Sequence, residues 1–401
     1  MFRKRTRLYT QFELKNLFHI LNSLFKKKQN FLFELKSFLN TENIHLTSQG
    51  RVSLFDIVKL IIENTGKKNF FIAPFTIPEV VYAIKYAGGK VIFIDLDIKT
   101  GLVDSEELRS KIDTNSAAVI ITHLYSNKEN IKDFIDRFDG KIKIIEDAAI
   151  NFGAKIEKRY IGTLADYGFY SFNLVKNLNA LNGGATYIKN NDEFIKYIKK
   201  IDKKKFPIIR TFNLVLTVLI IKFLSNNFIY QIFHYFLGLV YKKKITFILK
   251  KIYPILFHEF KSKTPENYFY DFNWVMNDLA EHNLKKVKHD IDKKIEKIKI
   301  YQKYLSNDKV DKIVFLEKEN ICLEYPVFLK NISNLEMHKI LFKEGYDIRH
   351  TWYINNSLEM NNNLKFKNIE YINERIFCLP THRNINTKDI VKICDIINNY
   401  G

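Results

Sequence analysis

A chain of 401 residues can bury one large core and a smaller one, which fits a single two-lobed enzyme subunit. Its 64 Lys and Arg against 44 Asp and Glu leave a formal charge of +20, which favours anionic partners, although a lysine-, asparagine- and isoleucine-rich composition also follows from base-composition bias. Nucleic-acid motifs are missing and the basic residues are dispersed, so no nucleic-acid partner is expected. Cys322, Cys378 and Cys394 have neither metal-ligand nor disulfide spacing, which excludes a metal-ribbon or disulfide scaffold and fits a reducing cytosol.

Residues 1–45 form a basic amphipathic segment. It opens with Arg3, Lys4, Arg5 and Arg7, but polar residues break Phe12–Phe25, so it is not read as a signal peptide. Leu14, Leu17, Phe18, Leu21, Leu24 and Phe25 recur at helical spacing as one apolar stripe, closed by Lys26, Lys27 and Lys28. Such a helix packs on the body, packs on a dimer partner, or lies on anionic lipid.

Residues 46–200 alternate strands with helices, the pattern of a parallel sheet. Strands are expected over Phe70–Ala73, Val91–Asp95, Ala118–Thr122 and Ile142–Glu146. Before them, TSQGRVSL (Thr47–Leu54) is a polar-glycine turn entering an apolar helix, a backbone that can present N–H groups to phosphate. The acids Glu146 and Asp147 stand at a strand end, where open α/β sheets place ligand sites. A second apolar-aromatic run, Tyr167–Phe172, is followed by Lys176, a polar turn and Gly183-Gly184. A lysine and a carboxylate on neighbouring strand ends are what pyridoxal phosphate chemistry needs; by residue type alone they also fit a helix cap and a solvated surface.

Residues 201–268 begin with KKIDKKKFPIIR (Lys199–Arg210), then carry the apolar segments Phe212–Leu224 and Phe228–Tyr241 and the run Lys242-Lys243-Lys244. Neither segment reaches the roughly 18–20 uninterrupted apolar residues that span a bilayer. A peripheral membrane contact through 206–260 is expected, with an extra helical subdomain or dimer contact as the alternative. Residues 269–401 form a smaller C-terminal domain, with a long charged helix at DIDKKIEKIKIYQKYL and less clear alternation beyond it.

EDAAINFGA (Glu146–Ala154), LADYGFYSFNLVKN (Leu164–Asn177) and NGGA (Asn182–Ala185) resemble the EDAAQAHGA, G-D, SFHPTKN and GGA signature of the DegT/DnrJ/EryC1/StrS aminotransferases. Ile72–Asp104, THLYS (Thr122–Ser126) and FNWVMNDLAEHNL (Phe272–Leu284) resemble further segments of that family, which passes from GGA to the last of these without residues 201–268. The resemblance implies a type I PLP-dependent transferase fold. Its large domain has a mostly parallel sheet, its smaller C-terminal domain is α+β, and it acts as a homodimer with sites at the interface. It implies that Lys176 holds pyridoxal 5'-phosphate and shuttles a proton, and that Asp147 pairs with the ring nitrogen. Ser171, Gly50, Arg51 and Asn273 would hold the phosphate, Asn273 from the partner subunit. The implied reaction moves an amino group, usually from glutamate, to a nucleotide- or lipid-linked keto-sugar in surface polysaccharide or lipopolysaccharide biosynthesis. The implied location is cytoplasmic, extended by the insertion to the cytoplasmic face of the inner membrane. Ile77, Ile150, Asn182 and Val275 replace an aromatic, Gln, Glu and Arg of the family pattern, and Arg51 a Thr. These losses favour either a different acceptor or a low-activity member acting as a binding or scaffold subunit.

Overall fold

A computed structural model describes residues 12–25, 30–125, 128–226, 228–232, 235, 263–312, 323–351, 353–359 and 365–401. The first ten strands are β1 (Ile44–Thr47), β2 (Asn69–Ile72), β3 (Phe75–Thr76), β4 (Lys90–Phe93), β5 (Ser116–Thr122), β6 (Lys143–Asp147), β7 (Lys155–Ile156), β8 (Arg159–Tyr160), β9 (Tyr167–Ser171) and β10 (Gly184–Ile188). β11 (Val310–Lys312), β12 (Tyr325–Leu329), β13 (Ile354–Asn355) and β14 (Ile376–Leu379) follow near the C-terminus. The helices that matter below are α1 (Lys15–Phe25), α2 (Phe31–Leu39), α3 (Gly50–Thr65) and α4 (Pro78–Tyr86). They are followed by α5 (Ser105–Lys111), α6 (Lys128–Phe138), α7 (Asn191–Lys200) and α8 (Ile208–Leu224).

Seven strands make one sheet in the order β1-β10-β9-β6-β5-β2-β4. The five from β9 to β4 run parallel, whereas β10 is antiparallel to both β9 and β1. β5 reads SAAVIIT and is buried along its whole length, as a strand covered on both faces must be. The four strands expected from apolar runs appear as β2, β4, β5 and β6. β1 and β10 are additions: each is short, and β10 follows directly on the glycine pair.

Two apolar clusters cover the sheet. One joins the strands to α3, α4, α5 and α6; the other packs Phe31, Leu35, Phe152, Tyr170, Phe172 and Met276 together. A third, around Tyr301, Val327, Leu341 and Ile393, accompanies the small antiparallel sheet β11-β12-β14. The expected charged helix is present as Val287–Tyr304. β13 leaves this C-terminal part to pair with β3, and Asn356 Nδ2 donates to the carbonyls of Pro74, Thr76 and Ile354.

Helix α1 docks the other way round from a stripe-inward amphipathic helix. Asn16, Ile20 and Ser23 are buried, while Leu14, Phe18, Leu21, Leu24 and Phe25 are exposed. The inward face is mixed: Ile20 and Leu17 pack on an apolar cluster, and its polar groups have polar partners, since Asn22 Nδ2 donates to Asp278 Oδ2, Ser23 Oγ accepts from the Asp278 N–H, and His19 stacks on His282 at 4.0 Å. Of the hydrophobic insertion, α8 and a few residues after it are described, and most of 233–262 lies outside the described residues. Among the described residues, no helix is long and apolar enough to cross a membrane.

Candidate active site

The site is assembled where α3 abuts the ends of β6 and β9. Gly50 opens α3, and a Cβ on it would lie 2.9 Å from Ser171 Cβ and 3.0 Å from the Tyr170 carbonyl oxygen, so only glycine lets the helix end approach β9 this closely. Gly184 is under the same constraint from the other side, since a Cβ on it would lie 2.6 Å from the Gly50 nitrogen. The N-cap of α3, Gln49, is extended and makes no side-chain cap; the first bonds back to its carbonyl come from the Val52 and Ser53 N–H groups. The helix therefore presents its positive end to a cavity of about 150 Å³.

Gly50, Arg51, Asp147, Ser171 and Lys176 all line that cavity, so five of the six residues named from the sequence meet in one place. Asn273 does not: it is buried, donating from Nδ2 to Thr211 Oγ1 at 2.9 Å, and Val275 beside it is packed in the apolar cluster. Gln49, Glu79 and Tyr353, which the sequence did not single out, line the cavity too, as does Asn182. Glu79 stands 3.9 Å from the Arg51 guanidinium, and Gln49 Oε1 accepts from Arg51 Nε at 2.7 Å, which holds the arginine at the rim. Glu79 lies in the resembling segment Ile72–Asp104, two residues after Ile77; an acid directly after Pro78, in the first turn of a helix, was the signal available.

Glu146 and Asp147 are adjacent yet have opposite tasks, because alternate residues of a strand face opposite sides. Glu146 is fully buried and accepts from the Gly162, Leu164 and Ala165 N–H groups, with His123 Nε2 at 2.9 Å, which ties the loop after β8 to β6. Asp147 faces the cavity with Oδ1 on the Ala149 N–H at 3.0 Å. Burial pushes its carboxyl above the usual range, opposed by the Ala149 bond and by Lys176 and His123. Burial likewise pulls the Lys176 amine below the usual lysine range, against the acids Asp147, Glu79 and Glu324. A desolvated amine of lowered pKa is a better nucleophile and proton carrier at neutral pH than a surface lysine. The lysine loop is fixed by Asn177, whose Nδ2 donates to the Ile150 and Phe152 carbonyls while its Oδ1 accepts from Lys294. The walls are apolar: Ile77, Val80, Ile150 and Phe169.

A larger hollow of about 300 Å³ sits at the other end of α3, but its charges are already matched. Lys203 Nζ is 2.7 Å from Asp56 Oδ1, and Tyr197 donates to the same carboxylate. The smaller cavity is the one with unspent chemistry.

The residues fit pyridoxal phosphate: a carboxylate for the ring nitrogen, an amine for the aldehyde, and a glycine-cradled helix end with Ser171 and Arg51 for the phosphate. The profile of the DegT/DnrJ/EryC1/StrS aminotransferase family matches residues 19–207. GDP-perosamine synthase of Escherichia coli O157:H7 is 31% identical over 105 residues, 26% of this chain and 29% of that protein. dTDP-3-amino-3,4,6-trideoxy-alpha-D-glucose transaminase of Micromonospora megalomicea subsp. nigra is 26% identical over 148 residues, 36% and 40% of the two chains. The matched stretch thus spans well under half the length of these curated relatives. In structure the likeness is full-length: sugar aminotransferase CalS13 from Micromonospora echinospora superposes with a TM-score of 0.73 at 14% identity, covering 100% of both chains. PseC of Helicobacter pylori gives 0.70 at 14% identity, covering 100% of this chain and 98% of its own.

Proposed function

Since the chain belongs to the DegT/DnrJ/EryC1/StrS aminotransferase family, we propose that it is a PLP-dependent transaminase that moves an amino group from glutamate to a keto-sugar, nucleotide-linked or lipid-linked, in surface polysaccharide or lipopolysaccharide biosynthesis. The observation that carries this reading is that Asp147 and Lys176, from neighbouring strand ends, share one cavity with the N-terminus of α3. When bound, the cofactor supplies an electron sink for the carbon that loses its proton.

The protein's own part is positioning and proton transfer. Asp147, held by the Ala149 N–H, is placed to keep a ring nitrogen protonated by charge pairing. Lys176 Nζ, desolvated and flanked by acids, accepts a proton from substrate carbon and returns it on the other side of the transfer. Gly50, Ser171 and Arg51 would hold the phosphate; Ile77 and Ile150 line the cavity and would exclude water from the ring. Asn273 is given a role only in a homodimer, at the partner's site. The family also contains dehydratases with histidine at the lysine position; Lys176 favours transamination.

The test is reconstitution of the purified chain with pyridoxal phosphate, followed by borohydride reduction and peptide mass mapping. Cofactor mass on Lys176 and amine transfer from glutamate to a keto-sugar support the proposal. A chain that stays colourless and takes no label favours the second reading, a low-activity binding or scaffold subunit, for which the aliphatic Ile77, Ile150 and Val275 speak.

A further inference from the structure

We propose that the outward faces of α1 and α8 form a docking surface for an anionic lipid bilayer. Both helices rest on the same apolar cluster, through Ile20 and Val218 with Leu17, Val215 and Leu219 packed against it, and Lys222 Nζ donates to the Phe12 carbonyl at 3.0 Å. Yet each turns its large side chains away from that cluster. On α8 these are Ile208, Ile209, Phe212, Leu216, Ile220 and Phe223, between 46% and 64% exposed. On α1 and just before it they are Leu14, Phe18, Leu21, Leu24 and Phe25, between 39% and 85% exposed. Scattered surface apolar residues need no explanation, but a helix whose outward positions are almost all large and apolar does.

The chemistry of the α8 face is that of a surface made for hydrocarbon. Its two cations are both withdrawn: Arg210 pairs with Glu266 and lies over the Tyr270 ring, and Lys222 holds the Phe12 carbonyl. The Thr217 hydroxyl is satisfied within the helix, donating to the Asn213 carbonyl at 2.7 Å, and Ser225 does the same to Ile221. Neither cation of the helix is left without a partner.

Charge decides the occupant. From Lys203 to His258 the sequence has ten Lys and Arg and no Asp or Glu, half of the chain's +20. Lys204 and Lys205, immediately before α8, are exposed. Lys26, Lys27 and Lys28 follow α1, and no acid precedes Glu13. A two-fold contact between copies would set this patch against itself and bring like charges together. An anionic bilayer takes the apolar stripe into its interface and the lysines against its headgroups.

The inference does not depend on the aminotransferase reading and is tested separately. Full-length protein is sedimented with vesicles of phosphatidylcholine alone and with phosphatidylglycerol added, and its mass in solution is measured by analytical ultracentrifugation. The comparison variant carries Phe212→Ser, Leu216→Ser, Ile220→Ser and Phe223→Ser, all at exposed positions, with circular dichroism as the check on folding. A second variant, Lys204→Gln with Lys205→Gln, leaves the apolar face intact. Expected are binding to the anionic vesicles that weakens with salt, at least a tenfold loss in the Ser variant without change of mass, and about fivefold loss per lysine removed. Absence of binding to either vesicle overturns the proposal. So does a wild-type oligomer that the Ser variant dissociates, which would make the face a subunit contact.

Discussion

Replacing Gly50 by alanine tests the phosphate end of the cavity. The added Cβ would stand 2.9 Å from Ser171 Cβ, 3.0 Å from the Tyr170 carbonyl oxygen and 3.3 Å from Ser171 Cα. Two of these atoms are backbone of β9 and cannot rotate away, so the helix end must retreat. Carbon atoms settle at ~3.5 Å or more, which asks for roughly 0.6 Å of separation. Overpacking of this kind costs about 1–3 kcal/mol of stability. The same retreat stretches an N–H to phosphate contact from roughly 2.9 Å to roughly 3.5 Å, where hydrogen bonding fades. A hydrogen bond to a charged group contributes about 1.5–3 kcal/mol, so losing most of one weakens phosphate binding on the order of tenfold. The assay is a spectroscopic titration with pyridoxal phosphate and with pyridoxal, which lacks the phosphate, alongside urea unfolding. G50A should bind pyridoxal phosphate about tenfold more weakly, bind pyridoxal unchanged and unfold at lower urea. A variant with wild-type stability and an intact preference for the phosphorylated aldehyde refutes the placement.

Three further outcomes are expected. Asp147→Asn should stabilise the cofactor-free protein at neutral pH while abolishing cofactor binding. The folded-state pKa of Asp147 is raised by burial, so the unfolded chain ionises first; the wild type loses stability as pH rises from the unfolded value, ~3.9, through the folded one, and urea curves of the two proteins should converge below about pH 4. Burial pulls the His45 imidazole down from its ordinary 6.5 to about 4, so the wild type should lose stability on acidification across that window, and His45→Gln should flatten the slope. Asn356→Ala removes the side-chain donor to the Thr76 and Ile354 carbonyls, while Pro74 keeps its backbone donors, and should cost about 1–3 kcal/mol in urea unfolding.

What could be read from the sequence was what lies close together in it. Asp147, Ser171 and Lys176 fall within 29 positions of one another around two strand ends; spacing offered Asp147 and Lys176 as candidates, and the family resemblance gave them and Ser171 their roles. Glu79 and Tyr353 come from separate elements that only the β3–β13 pairing brings together, and no local pattern marks such a meeting. β10 contains Gly184 and Ala185 and is short, so its apolar pattern is weak. The case of α1 is more instructive. Periodicity found the apolar stripe but not its direction, which is set by Asp278 and His282, more than 250 residues away, giving the polar face somewhere to go.

The pairing of β3 with β13 also has a consequence in time. Asn356 reaches Pro74 across 282 positions of sequence, so the wall of the cavity that carries Ile77 and Glu79 lacks its support until nearly the whole chain exists. At ~5–20 residues per second, a ribosome needs roughly 15–60 s to cover that distance. Throughout that interval the parallel strands can fold while the pocket stays ajar, its apolar lining open to water. A nascent chain would then acquire a competent binding site only as one of its last events, well after its sheet is in place.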